Sequence, residues 1–169
     1  MNIAKRFSLL GTETAFAVAA ETNKYAKQGL KTYPFHLGDI NMKTPDNIIE
    51  AAYRGMQDGK TGYCPNQGIP ELREVLAEDI NRSHNTSYTA DNVAIQPGGK
   101  PVIQKFILAL LNPGDEVLYP NPGYPIYESI ISFCGGKPVP YPLREQDGNF
   151  FLDVEDISSR ITNNTRLIV

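Results

Sequence analysis

Apolar positions along this chain recur at helical spacing in some stretches and crowd into short runs in others, and the two patterns alternate. Ile48, Ile49, Ala52, Tyr53 and Met56 fall at helical spacing between Thr44-Pro45 and Asp58-Gly59. A threonine cap with proline at the first helical position predicts the start of a helix, and the Asp-Gly pair predicts its end. Pro70-Glu71 opens a second helix carried by Leu72, Val75, Leu76 and Ile80. Residues 93–96 read as a strand. After Gly98-Gly99 a further helix carries Val102, Ile103, Phe106, Ile107, Leu110 and Leu111. Asn112-Pro113-Gly114-Asp115 is a turn by composition. It is followed by a strand at 116–119, a helix at 125–133 closed by Gly135-Gly136, and an extended segment at 137–143. Asp147-Gly148 predicts a turn, residues 154–161 a short helix and 166–169 a last strand. Upstream, residues 12–20 read as a helix with Phe16 and Ala20 on one face, and 33–37 as extended. Strands alternating with helices predict an α/β fold with a mostly parallel sheet. The one boundary the pattern suggests lies near Thr44, between an arm (1–43) and an α/β body (44–169).

Composition narrows the partners more than the fold. The chain of 169 residues carries 16 basic and 19 acidic side chains without a basic run. Neither nucleic acid nor an anionic membrane surface is therefore expected as a partner. Lys5-Arg6, the apolar residues after it and the small residues of Ala15-Phe16-Ala17-Val18-Ala19-Ala20 imitate a secretion signal, but Thr12-Glu13-Thr14 interrupts the apolar run. No stretch approaches the roughly 18 apolar residues of a membrane span. A cytoplasmic protein is expected. Cys64 and Cys134 lack a Cys-x-x-Cys spacing, and His36 and His84 have no carboxylate or cysteine at a ligand spacing, so no metal site is expected. Nucleophile-elbow, dinucleotide and Walker-type motifs are absent.

The chemistry that remains centres on Gln96-Pro97-Gly98-Gly99-Lys100. An apolar run that turns on two glycines into a helix presents backbone N–H groups at the positive end of that helix, where a phosphate is stabilised. Glycine lets an anion approach the backbone closely. A tight turn without a ligand fits the same residues.

Three segments decide between these alternatives. Leu37-Gly38-Asp39-Ile40-Asn41, the run from Gly62-Tyr63-Cys64-Pro65 through Gly68-Ile69-Pro70-Glu71-Leu72-Arg73, and Asn112-Pro113-Gly114-Asp115 through Tyr119-Pro120-Asn121-Pro122-Gly123-Tyr124 together closely resemble the class I/II aminotransferases. These are fold-type-I enzymes that use pyridoxal 5′-phosphate. With the glycine turn between the second and third, the motifs cover nearly the whole chain. The resemblance implies the N-terminal part of the aminotransferase-like α/β fold, a partial, mostly parallel sheet flanked by helices. Residues 1–43 would then be an arm and small-domain segment, and 44–169 the beginning of the large cofactor-binding domain.

The resemblance also assigns roles. Gly98, Gly99 and Lys100 fall on the turn that holds the cofactor phosphate, and Lys100 is not the Schiff-base lysine. Tyr124 takes the place of the aromatic residue stacked on the pyridine ring, aimed by Pro122-Gly123, with Tyr127 the better candidate for a core tyrosine. Tyr63 matches the tyrosine that reaches the phosphate of a neighbouring subunit, which implies a homodimer; a tyrosine packed within its own loop is the alternative. Gly38 lies where a backbone amide approaches the substrate carboxylate. The Schiff-base lysine and the substrate-clamping arginine come later in this family, so no catalytic residue is assigned here.

The expectation is therefore a pyridoxal-phosphate-dependent transferase that moves an amino group from an amino acid to a 2-oxo acid, represented by a truncated chain inactive alone. Aspartate aminotransferase-like enzymes are the first expectation, with alanine, aromatic and kynurenine enzymes similar in these segments. Two alternatives stay open: another fold-type-I enzyme, a lyase or synthase acting on amino acids, and a non-catalytic remnant that dimerises or binds.

Overall fold

The computed structural model describes residues 2–11, 14–38, 40 and 42–169, and for Thr14 the backbone alone. A short 3-10 turn at Lys5–Leu9 precedes helix α1 (Thr14–Lys27), α2 (Asp46–Gln57) and α3 (Pro70–His84), with a second 3-10 turn at Ala90–Asn92. Then come α4 (Gly99–Leu110), strand β1 (Glu116–Pro120), α5 (Ile126–Phe133), β2 (Lys137–Tyr141), β3 (Leu143–Gln146), β4 (Asn149–Leu152), α6 (Val154–Ser159) and β5 (Thr165–Ile168). The chain divides into two compact units, one of Met1–Leu37 with Gly99–Val169 and one of Gly38–Gly98.

The first unit is built on a three-stranded parallel sheet in the order β2-β1-β5. Strand β1 is central because its residues are apolar in a run rather than in alternation: Val117 and Leu118 are both completely buried. Strand β2 contains Pro138 and Pro140, which lack an N–H, yet it pairs with β1 through its whole length. It does so as an outer strand of the described sheet, where Lys137 N–H turns inward to the Asp115 carbonyl (2.8 Å) and the prolines, one residue out of phase, face the open edge. The core joins Ile107 of α4, Val117 and Tyr119 of β1, and Ile130 and Ile131 of α5. Ile107 is one of the apolar positions whose helical spacing predicted α4. Strands β3 and β4 form an antiparallel hairpin turned at Asp147-Gly148, both at positive φ (53° and 76°).

The second unit holds α2 and α3. Among its described residues the buried ones are Arg73 and Ala77, one turn apart on α3. The apolar stripe of α2 is open: Ile48, Ile49, Tyr53 and Met56 are all exposed.

Several local expectations are corrected. Residues 93–96 are not a strand: Val93 is extended (φ −113°, ψ 129°), but no strand pairs with the segment among the described residues, and the Ile95 amide donates instead to the Gln67 carbonyl at 2.8 Å. The cap of α2 is Pro45 rather than Thr44. The Pro45 carbonyl accepts from the amides of both Ile48 and Ile49 (3.0 and 3.1 Å), and no side chain caps the helix. Helix α1 runs on to Lys27, past the expected end at Ala20; a Glu21–Lys24 pair (2.9 Å) sits within the extra turns, and Gly29 at φ 82° follows the end. Its expected first residues, Thr12 and Glu13, lie outside the described residues, as do Asp39 and Asn41 of the first motif. The extended segment predicted at 137–143 divides into β2 and the first residue of β3.

Candidate cofactor site

The chain enters α4 through a tight turn in which the Gly98 N–H donates to the Gln96 carbonyl at 2.9 Å. Gly98 has φ 96°, a left-handed conformation that explains glycine there. Gly99, the first helical residue, is different. Its backbone is not left-handed, and a Cβ added to it would meet nothing within 4 Å. Neither conformation nor packing inside the protein asks for glycine at 99, and what its bare backbone gives is access to the helix end. The amides that open a helix face outward at its first turn; in α4 these include those of Gly99 and Lys100, and Pro101 has none to lose. An anion there meets the positive end of α4 and, at Lys100, a cation.

The second piece of the site follows β1, beyond the carboxyl end of the central strand, where ligands of such sheets bind. The Asn121 N–H donates to the Tyr141 carbonyl (2.9 Å), which ties the loop to β2. At Gly123 a Cβ would stand 2.2 Å from the Pro120 carbonyl oxygen, so the chain can turn back on itself only with glycine at that position. Tyr124 follows, with its ring 40 % exposed and edge-on to Tyr127 at 5.8 Å between centroids and 90° between planes. Tyr127 packs against the core, as expected for the structural member of the pair. Tyr124 is the more open member of the pair.

Lys100 beside the turn and the residues that follow Tyr124 share a cavity. Lys100 lines this cavity, of about 180 Å³, with Pro125, Ile126, Ser129 and Ile130, and with Leu10 and Gly11 of the N-terminal arm. The arm is fastened there: the Gly11 N–H donates to Ser129 Oγ (3.1 Å), and Phe7 meets Phe133 edge to face at 5.7 Å.

Tyr63 and Gly38 belong to the other unit. The Tyr63 ring is fully exposed and lines a cavity of about 570 Å³ with Lys60, Cys64, Ile69 and Glu71. Packing within its own loop is thus not its role. Gly38 has open space around its Cα and no left-handed φ. Cys134, beside the core, has its thiol pushed up by burial, which keeps it protonated and inert.

The sequence pattern of the family described as aminotransferase class I and II matches residues 31–169. The chain belongs to that family. A probable aspartate/prephenate aminotransferase of Aquifex aeolicus is 36 % identical over 167 residues, 99 % of this chain and 42 % of the relative. Among solved structures, the aspartate aminotransferase of Thermus thermophilus with maleate superimposes with a TM-score of 0.89 at 32 % identity, covering 100 % of this chain and 44 % of that one. An alanine aminotransferase from Pyrococcus furiosus gives 0.87 at 32 % identity, covering 99 % and 43 %. The chain thus spans less than half the length of these aminotransferases, and the expected α/β fold is the one they share.

Three residues carry no signal that the sequence alone makes plain. Ser129 and Gly11 meet across 118 residues, a distance no local pattern signals. Arg73 lies inside a motif without an assigned role, although its spacing from Leu76, Ala77 and Ile80 puts it on the inner face of α3.

Proposed function

We propose that the chain is the phosphate- and ring-binding part of a pyridoxal 5′-phosphate-dependent aminotransferase that moves an amino group from an amino acid to a 2-oxo acid. The observation that carries the reading is Gly99, a glycine that the protein's own packing does not need, at a helix end whose next residue shares a cavity with the start of α5. When bound, pyridoxal 5′-phosphate supplies an electron sink for the substrate's α-carbon. The amides at the start of α4 hold the phosphate, with Gly98 shaping the turn and Lys100 adding charge. Tyr124 stacks on the ring, and Tyr127 fixes its edge. Gly38 offers its amide to the substrate carboxylate. No proton-transfer role falls to Lys100, whose place is at the phosphate. The full exposure of Tyr63 supports a homodimer in which that ring serves the neighbouring site, and the open α2 stripe supports a covered face there. Relatives named for aspartate and prephenate support an acidic amino acid as donor. No described helix is long and apolar enough to cross a membrane, which agrees with a cytoplasmic enzyme. The arm-and-body division at residues 43 and 44 belongs to the same proposal.

The test is equilibrium binding of pyridoxal 5′-phosphate and of pyridoxal to the 169-residue protein. The phosphorylated form is expected to bind at least about tenfold more tightly and to be displaced by inorganic phosphate, and Gly99→Val to remove that preference. Equal affinity for the two compounds would overturn the reading.

A further inference from the structure

We propose that Arg73 is a positioning residue for the anion-binding turn: from α3 it holds the chain that delivers Gly98. The inference rests on the cofactor reading above and adds a residue to it that does not touch the ligand.

Residues 93–96 enter the turn without a strand ladder among the described residues, so their position depends on a few point contacts. Arg73 makes one of them directly, at Val93, and grips Ala90 just upstream. Its Nε donates to the carbonyls of Ala90 and Val93, each at 3.0 Å, and its Nη2 to Ala90 at 2.6 Å. The residue is 7 % exposed, while the carboxylate it meets, Asp91 at 3.3 Å, is almost fully exposed. A buried cation compensated chiefly by main-chain carbonyls is an expensive way to fill a helix face. The guanidinium fork is what lets one side chain grip two carbonyls, and an ammonium cannot reproduce it. A second hold lies two residues on. The Ile95 N–H donates to the Gln67 carbonyl at 2.8 Å, and a Cβ on Gly68 (φ 101°) would stand 2.5 Å from Ile95 Cγ1. Between this hold and the turn only Gln96 and Pro97 intervene, and the Gln96 carbonyl is itself bonded to the Gly98 N–H. Releasing Val93 removes one of these two holds and leaves the approach to Gly98 on the Ile95 contact alone. Helix α3, started by Pro70 and running 15 residues, is the rigid reference for all of it.

The experiment measures the affinities for pyridoxal 5′-phosphate and pyridoxal in wild type, Arg73→Met, Arg73→Lys and Asp91→Asn, with amide hydrogen exchange over residues 93–100. In Arg73→Met the preference for the phosphorylated compound is expected to fall on the order of tenfold, with pyridoxal binding unchanged. Exchange should rise in 93–100 while the sheet unit stays protected. Arg73→Lys should recover part of the preference, and Asp91→Asn should keep all of it. If Arg73→Met does not fold, Arg73→Lys alone decides, by the same ratio. Parallel loss of both affinities, or a preference unchanged in Arg73→Lys with exchange raised, would reduce Arg73 to a merely structural role and overturn the proposal. A wild type with no preference would sink the cofactor reading first, and this inference with it.

Discussion

The two units are held together by different forces. In the sheet unit the core is apolar and continuous, with Ile107, Val117, Leu118 and Ile131 each at or below 1 % exposure. In the 38–98 unit the buried residues among those described are an arginine and an alanine, and polar clasps tie the segments around them. Asn81 forms one of them. Its Oδ1 accepts from the Tyr88 amide (2.7 Å) and the Thr86 hydroxyl (2.9 Å), while its Nδ2 donates to the Tyr88 carbonyl (2.8 Å). Thr89 and Asn92 close a capping box around the 3-10 turn in the same way. Burial of apolar area is non-directional and tolerant, whereas a clasp of few hydrogen bonds fails when one partner is removed. The unit that would carry Tyr63 and deliver Gly98 is therefore the one more easily displaced by single polar substitutions.

The largest test of this contrast compares two isoleucines. Ile131 is completely buried against the sheet, and Ile131→Ala is expected to cost about 3 kcal/mol in urea unfolding, from lost transfer energy and the cavity left behind. Ile48 lies on the open stripe of α2 at 53 % exposure, and Ile48→Ala should cost no more than about 0.5 kcal/mol in a monomer. Similar costs for both would mean that α2 is covered in solution, by a second copy of the chain or by other segments, and would remove the contrast.

A smaller effect is expected at the loop after β1, where the apolar unit itself depends on one backbone contact. Gly123→Ala forces the chain away from the Pro120 carbonyl and should cost about 2 kcal/mol. The edge-on pair of Tyr124 and Tyr127 should loosen with it, visible as a reduced near-ultraviolet circular dichroism signal. Unchanged stability and signal would show that the loop adapts and that Tyr124 is not aimed by its backbone.

The same contrast explains what can be read from the sequence. Helix α4 is legible because burial on one face imposes periodicity, strand β1 because it is a short apolar run after a turn, α5 because glycines close it, and the β3–β4 turn because Asp-Gly matches the left-handed pair of a tight hairpin. The turn at Gly98-Gly99-Lys100 and the loop before Tyr124 are legible as glycine positions and as family motifs. Residues 93–96 mislead because an apolar run states that a segment is extended, not whether a strand lies beside it. Arg73 is easily passed over because an arginine among helical apolar residues reads as a solvated charge. The cavity wall from Leu10 and Gly11 is not legible at all, since it depends on a contact between distant segments.

The smallest expected effect concerns acid. Glu116 opens β1, and its carboxyl lies below the ordinary carboxylate range because it accepts from Lys137 Nζ (2.8 Å) and the Thr162 hydroxyl (2.7 Å). Asp156 is likewise lowered, first by its hydrogen bonds with Arg160 (2.7 and 3.0 Å). Both belong to the sheet unit. A carboxyl depressed in the folded state takes up its proton in the unfolded state first as pH falls. Its stabilisation is therefore complete above the ordinary carboxylate range and is lost as pH drops through the lowered folded value. Lys137→Met removes the largest cause at Glu116, so its acid dependence should be shallower than that of wild type from the ordinary carboxylate range down through the lowered folded value, with little change near neutrality because the Lys137 end of the pair is solvent-screened. Thermal unfolding across that interval measures it. An identical slope in the variant would assign the acid sensitivity elsewhere, and if the lost slope appeared in exchange from 38–98 rather than from the sheet, the division of labour between the two units would be wrong.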